Sequence, residues 1–276
     1  MNKPAESAKR FQTIYFIGSG PGDPELITVK GKRLLKKADV IVYAGSLVNE
    51  KVLQYARKDA LVYNSASMTL DEIMKIMVKA AKSGKRVARL HTGDPTLYSA
   101  LQEQAFVLEK YGIPYKVIPG VSSAFASACA LKKELTLPEI TQTAIFTRLE
   151  GNTIVPEKEK LSELSKHNAT MCIFLSVGMI DKVVDELKKG YPDNTPAAVV
   201  YRATWEDEKI VRGRLKDIAK KVNRAGIKRQ AMIIVGKTLN PSIPPLTKGG
   251  KGGLPPTSKL YDKGFEHGCR KKNNKY

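Results

Sequence analysis

The sequence predicts an α/β chain of two domains, and three observations support that prediction. Short apolar runs alternate with segments whose apolar residues recur at helical spacing. Several of the runs end in turns rich in glycine and small polar residues. The alternation breaks over Lys132–Gln142, a linker-like stretch, and resumes beyond it. Such alternation predicts a mostly parallel sheet covered by helices.

The first domain is expected over 12–136. Its strands read as Thr13–Ile17, Asp39–Tyr43, Lys85–Leu90 and Tyr115–Ile118, each apolar and bounded by Gly, Pro or charge. The clearest helix starts at Thr69. Thr69 and Glu72 have capping-box spacing, and Leu70, Ile73, Met74, Met77, Val78 and Ala81 follow at helical intervals until Gly84. Met74 and Met77 therefore read as core.

The second domain is expected over 137–240. Strands are predicted at Thr143–Thr147, Thr170–Leu175, Ala197–Tyr201, Lys209–Arg212 and Ala231–Val235. Helices are predicted over Lys158–His167, Ile180–Lys189 and Leu215–Arg224. Lys209 follows Tyr201 so closely that these two strands should pair antiparallel. From 241 to 276 the composition changes to repeated Pro, the run KGGKGG, and eight basic against two acidic residues. A flexible basic tail is expected there.

Composition bounds the function. The chain has 276 residues, 42% of them hydrophobic, and a formal charge of +20. A charge of that size favours anionic partners: nucleic acid, a membrane surface, or a polycarboxylate or phosphate ligand. No apolar run is long enough to span a bilayer, and no secretion signal is evident at the start, so a cytoplasmic protein is expected. Cys129, Cys172 and Cys269 lie far apart with no CxxC, which argues against disulfides and against a zinc site.

Three turns carry the chemical signal. Gly18-Ser19-Gly20-Pro21-Gly22-Asp23-Pro24 follows the first strand. It invites a dinucleotide-binding reading, but its spacing is GxGxG rather than GxGxxG, and Asp23 would oppose a pyrophosphate. The second strand ends Tyr43-Ala44-Gly45-Ser46, without an acidic residue for a ribose, and the chain has no P-loop. The second turn, Thr92-Gly93-Asp94-Pro95-Thr96-Leu97, and the third, Pro119-Gly120-Val121-Ser122-Ser123, also leave strand ends. Loops gathered at the carboxyl edge of a parallel sheet form the default ligand pocket.

Other candidates carry bland readings. Asp94 suits either a ligand or an Asx turn ahead of Pro95. His91 reads as a hydrogen-bonded structural histidine, and His167 as a helix-end residue. Arg89, Arg148, Arg202, Arg212 and Arg214 lie near strand ends, mostly solvated or structurally paired. Nothing resembles GxSxG, and no general base can be named.

GSGPGDPELIT, RLHTGDPTLYSA and PGVSSAFA resemble the tetrapyrrole (corrin/porphyrin) methylases over about Thr13–Lys237. YAGSLV at Tyr43–Val48, and SKLYD at Ser258–Asp262 with Phe265, His267 and Arg270, are similar to the precorrin-4 and cobalt-precorrin-4 C11-methyltransferase subgroup. Pro244–Pro255 looks like an insertion, and Cys269 stands where an aromatic is commoner. The resemblance implies two α/β domains with the cofactor cleft between them, a homodimer, and S-adenosylmethionine as cofactor. It also implies an anionic tetrapyrrole substrate, precorrin-4 or its cobalt form, methylated at C11, with neither nucleic acid nor a protein-bound metal. By the same resemblance Pro21, Thr92, Gly93, Asp94, Leu97, Ser122 and Ser123 would touch the cofactor, Ser176 would stand where many relatives have Met, and Ala203 and Ala231 would line the adenine pocket. The alternatives are another tetrapyrrole C-methyltransferase of the corrin pathway, an RNA- or protein-modifying enzyme, and a nucleic-acid-binding protein.

Overall fold

The computed structural model describes residues 11–151, 153–240 and 266. The predicted tail, with Cys269 and the SKLYD signature, lies outside the described residues except for Glu266. The chain forms two compact units. One takes the chain as far as Ala126 together with Arg202–Asp207; the other takes Ser127–Tyr201 and the chain from Glu208 onward.

The first unit is built on five parallel strands in the order β3-β2-β4-β1-β5. They are β1 (Ile14–Gly18), β2 (Val40–Tyr43), β3 (Leu61–Asn64), β4 (Val87–His91) and β5 (Tyr115–Ile118). Because side chains alternate along a strand, the sheet has two buried faces. Ile14, Phe16, Val40, Val42 and Val87 pack on one face with Met74, Met77 and Leu108, which come from α2 (Leu70–Lys82) and α3 (Leu101–Lys110). Ile17, Ile41, Ala88, Leu90 and Ile118 pack on the other with Leu35 of α1 (Val29–Leu35). Each large side chain fully buried this way contributes about 1.5–3 kcal/mol.

The capping box of α2 forms as its spacing predicts. The Glu72 carboxylate accepts from the Thr69 amide at 2.7 Å, and Thr69 Oγ1 accepts from the Glu72 amide at 3.3 Å. At the amino edge of the sheet, Asp39 accepts from Arg86 Nε at 2.9 Å and from Arg57 Nη1 at 2.7 Å. The hydrogen bonds from the Arg86 side chain and amide hold the Asp39 carboxyl well below its usual range. Charge at this edge is matched.

The second unit has five strands in the order β6-β7-β10-β8-β9. They are β6 (Ala144–Arg148), β7 (Thr170–Phe174), β8 (Pro196–Tyr201), β9 (Lys209–Arg214) and β10 (Ala231–Val235). β8 and β9 pair antiparallel as predicted, Pro196 opposite Arg214 and Tyr201 opposite Lys209. The expectation of a mostly parallel sheet needs correction here. Only β6–β7 is parallel; β10 inserts between β7 and β8 and runs antiparallel to both. Hydrophobic periodicity reports which residues are buried, not the direction of the neighbouring strand. Met171, Ile173, Val199 and Ile233 pack with Val183, Leu187 and Val222 from α6 (Ile180–Leu187) and α7 (Ile218–Arg224). A short α5 (Leu161–Ser165) adds Leu161. The remaining helix, α4 (Ser123–Leu131), contains the division between the units, whereas the linker-like composition lies further on, at 132–142.

Cys172 is buried, and burial pushes its thiol up to about 12, so it is an inert core residue. Among the described residues no helix is long and apolar enough to cross a membrane.

Candidate active site

In the first unit the three turns singled out in the sequence leave the adjacent strands β1, β4 and β5 at their carboxyl ends, as parallel pairing requires. Main chain joins the first two. Ser19 donates through both its amide and its hydroxyl to the His91 carbonyl at 2.8 Å, and the Gly93 amide donates to the Gly20 carbonyl at 2.8 Å. Gly20 has φ 81° and Gly93 φ 61°, values that favour glycine.

A carboxylate attaches the third turn. Asp94 accepts from the Thr96 amide at 2.8 Å, the Thr96 hydroxyl at 2.6 Å and the Gly120 amide at 2.9 Å. Partial burial opposes ionisation of Asp94, but these three donors outweigh it and hold the carboxyl below its usual range. Glycine then sets the spacing: a Cβ on Gly120 would lie 2.1 Å from the Gly93 carbonyl oxygen and 2.8 Å from Gly18 Cα. The turns meet backbone to backbone.

The segment Arg202–Asp207 completes the first unit around the GPGDP turn. Trp205 Nε1 donates to the Pro21 carbonyl at 2.9 Å, and Thr204 Oγ1 accepts from the Asp23 amide at 3.0 Å. Asn49 Nδ2 donates to the Gly22 carbonyl at 2.9 Å. The indole fills the space a Gly22 side chain would need, 2.1 Å from that Cβ to Cδ1, and the Arg202 guanidinium stacks on its ring at 3.8 Å. Asp23 caps a one-turn helix through the Glu25 amide at 2.8 Å, so its carboxylate serves the turn itself.

His91 corrects another expectation. It is buried beside the Phe16 ring, and its Nε2 has no hydrogen-bond partner. Burial, with the Arg89 charge nearby, depresses its pKa from 6.5 to about 3. The folded protein therefore keeps His91 neutral where the unfolded chain would protonate it. Stability from this group is complete above pH 6.5, declines as the pH falls, and levels off below about 3. The shift corresponds to about 5 kcal/mol over that window. Urea denaturation of His91→Phe should show a shallower loss of stability from pH 6.5 downward than the native protein; parallel curves would remove this group as the cause.

The family model for tetrapyrrole (corrin/porphyrin) methylases matches residues 13–219, a span containing all three turns and the tryptophan segment. The chain belongs to this family. Among curated relatives of this methylase, the cobalt-precorrin-4 C(11)-methyltransferase of Methanocaldococcus jannaschii is 59% identical over 95% of this chain and 98% of its own length. The protein of the same name from Priestia megaterium is 47% identical over 94% and 97%. The X-ray structure of the cobalamin biosynthetic enzyme cobalt precorrin-4 methyltransferase superposes with a TM-score of 0.81 at 47% identity, covering 83% of this chain and 96% of that one. Uroporphyrin-III C-methyltransferase of Thermus thermophilus, in complex with S-adenyl homocysteine, superposes with a TM-score of 0.70 at 28% identity, covering 83% and 93%.

Within the methylase, Pro21, Thr92, Gly93, Asp94, Leu97, Ser122 and Ser123 all lie on or beside the joined turns of the first unit, to which Ala203 also belongs. Ser122 is buried, and its Oγ accepts from the Ala124 amide at 3.3 Å at the start of α4. Ser176 and Ala231 belong to the second unit. The Ser176 hydroxyl is fully engaged there, donating to the Phe174 carbonyl at 2.6 Å and accepting from the Leu149 amide at 2.8 Å. Ala231 opens β10. The Trp205–Gly22 contact escapes sequence reasoning; its only sequence signal is that Trp205 is the sole tryptophan of the chain.

Proposed function

We propose that this methylase transfers a methyl group from S-adenosylmethionine to C11 of cobalt-precorrin-4, or of its cobalt-free counterpart. The observation that carries the reading is the 59% identity to a cobalt-precorrin-4 C(11)-methyltransferase across 95% of the chain. Any cobalt would arrive as part of the substrate. Among the described residues no group of three or more His, Cys, Asp or Glu could hold a metal.

The joined turns suit a sulfonium nucleoside. They carry small polar residues and glycines with no Lys or Arg of their own, so the turns themselves offer a pyrophosphate no cation. Bound S-adenosylmethionine supplies an activated methyl for in-line displacement. The chain's contribution is position: Asp94 and the glycine contacts hold three strand-end loops as one rigid edge, and such positioning contributes about 7–11 kcal/mol to reactions of this kind. Pro21, Thr92, Gly93, Asp94, Leu97, Ser122, Ser123, Ser176, Ala203 and Ala231 are proposed to contact the nucleoside, Asp94 and Ser176 through the main chain that they orient. A cytoplasmic homodimer is proposed as the working form, on the family resemblance.

The test is incubation with cobalt-precorrin-4 and a 13C-methyl donor, followed by mass spectrometry and NMR. One labelled methyl at C11 is expected; a label on another carbon would make the chain a sister methylase, and no transfer would sink the proposal. Asp94→Ala should weaken S-adenosylhomocysteine binding about tenfold to a hundredfold by calorimetry, because a charge-assisted tie between two loops is lost. Unaltered affinity would show that the loops hold without it.

A further inference from the structure

The polar groups on β4 are matched at one edge of the sheet and unmatched at the other. Arg86, which precedes the strand, pairs with Asp39. Arg89 and His91 lie on the same face as Val87, the face covered by α2 and α3, and each is only 5% exposed. Arg89 Nε donates to Gln104 Oε1 at 3.1 Å, and Nη1 to Ser65 Oγ at 2.9 Å. Both acceptors are neutral, and both are already engaged: Ser65 donates to the Tyr43 carbonyl at 3.0 Å, and Gln104 to the Ala100 carbonyl at 3.1 Å. Among the described residues no carboxylate pairs with Arg89.

A buried guanidinium without a counter-ion costs several kcal/mol, and proteins rarely keep one for stability. Burial lowers its pKa to about 10, still well above neutrality, so the charge persists. Next to it the Nε2 of His91 is buried with no partner, a second polar group awaiting one. The loop that leads into α3 is also strained: Tyr98 and Ala100 have φ 51° and 53° without being glycine. Strain, an unmatched cation and an unpartnered imidazole coincide at the carboxyl edge, where the turns gather.

We propose that Arg89, with His91 beside it, is a subsite for a ligand carboxylate. Resting on the function proposed above, the carboxylate is assigned to a peripheral acetate or propionate arm of the tetrapyrrole; the amino-acid end of the methyl donor is the other source of the same chemistry. Arg89 is thereby a specificity residue rather than part of the fold's stability.

The test compares Arg89→Met with the native protein by three measurements. These are thermal unfolding, tryptophan-fluorescence titration with S-adenosylhomocysteine, and titration with uroporphyrin as an eight-carboxylate probe. The expected result is a Tm unchanged or raised, unchanged nucleoside affinity, and uroporphyrin affinity reduced about tenfold or more, with KM for cobalt-precorrin-4 rising more than kcat falls. Nucleoside affinity falling instead would keep the carboxylate site and assign it to the methyl donor. A lowered Tm with both affinities intact would make Arg89 structural and overturn the proposal. Arg89→Gln, which retains a neutral donor towards Ser65, repeats the comparison should the Met variant not fold. A native protein that binds neither ligand would overturn the functional reading and the subsite together, whereas native binding that both variants preserve would overturn the subsite alone.

Discussion

Gly120→Ala is expected to abolish S-adenosylhomocysteine binding and to lower Tm by about 5 °C, since overpacking a tight contact costs about 1–3 kcal/mol. The added carbon would lie 2.1 Å from the Gly93 carbonyl oxygen and within 3.0 Å of both Cα and C of Gly18. All of these neighbours are main chain, so no side chain can rotate away. Two of the three turns must separate, and the Asp94–Gly120 bond would stretch with them. Gly112→Ala is the control. Gly112 has φ 62° with nothing within 4 Å of the added carbon, so it should lose about 1 kcal/mol through backbone strain and leave affinity unchanged. Calorimetry and thermal unfolding of the two variants separate the effects. Equal affinities would mean that the convergence of turns has no bearing on ligand binding.

The second large effect is a non-additive one. Gly22→Ala should be severely damaging in the native background, because its Cβ would lie 2.1 Å from Trp205 Cδ1 and 2.4 Å from Nε1. Trp205→Ala should also weaken S-adenosylhomocysteine binding, about tenfold, through loss of the hydrogen bond that holds the Pro21 carbonyl. Combining the two removes the collision, so the double variant should resemble Trp205→Ala rather than the sum of both, a coupling of about 1–3 kcal/mol. Trp205→Phe keeps a ring but no N–H and should fall between the native protein and Trp205→Ala. Additive losses in the cycle would dismiss the indole as the partner of Gly22.

Much of this arrangement is legible in the sequence, for reasons that are local. Ala231–Val235 and Tyr115–Ile118 match the observed strands residue for residue, because both are apolar runs with abrupt ends. The capping box at Thr69 and Glu72 is a contact between residues three apart, which spacing alone encodes. The turns at Gly18 and Gly120 stand out because close main-chain approach excludes side chains, and the turn at Gly93 because its φ of 61° favours glycine. What escapes the sequence is non-local. In β3, Leu61 and Val62 are 47% and 44% exposed, so that edge strand carries no core pattern. The antiparallel entry of β10 depends on partners 30 and 60 residues away rather than on its own residues. Asp94 reads as either a ligand or a turn residue; the structure shows its oxygens engaged by Thr96 and Gly120, a role that depends on a loop 26 residues further on. Arg89 is a lone charge in an apolar run, and only its burial without a carboxylate makes it informative.

The bond between Trp205 and Pro21 spans 184 residues of chain. At ribosomal speeds of about 5–20 residues per second, the nascent glycine turn waits roughly 10–40 s for its indole to emerge. Full affinity for a nucleoside should thus be a late event in biosynthesis. Ribosome-bound fragments stalled just short of that tryptophan should hold a formed first sheet that binds its ligand at least about tenfold more weakly than the finished chain.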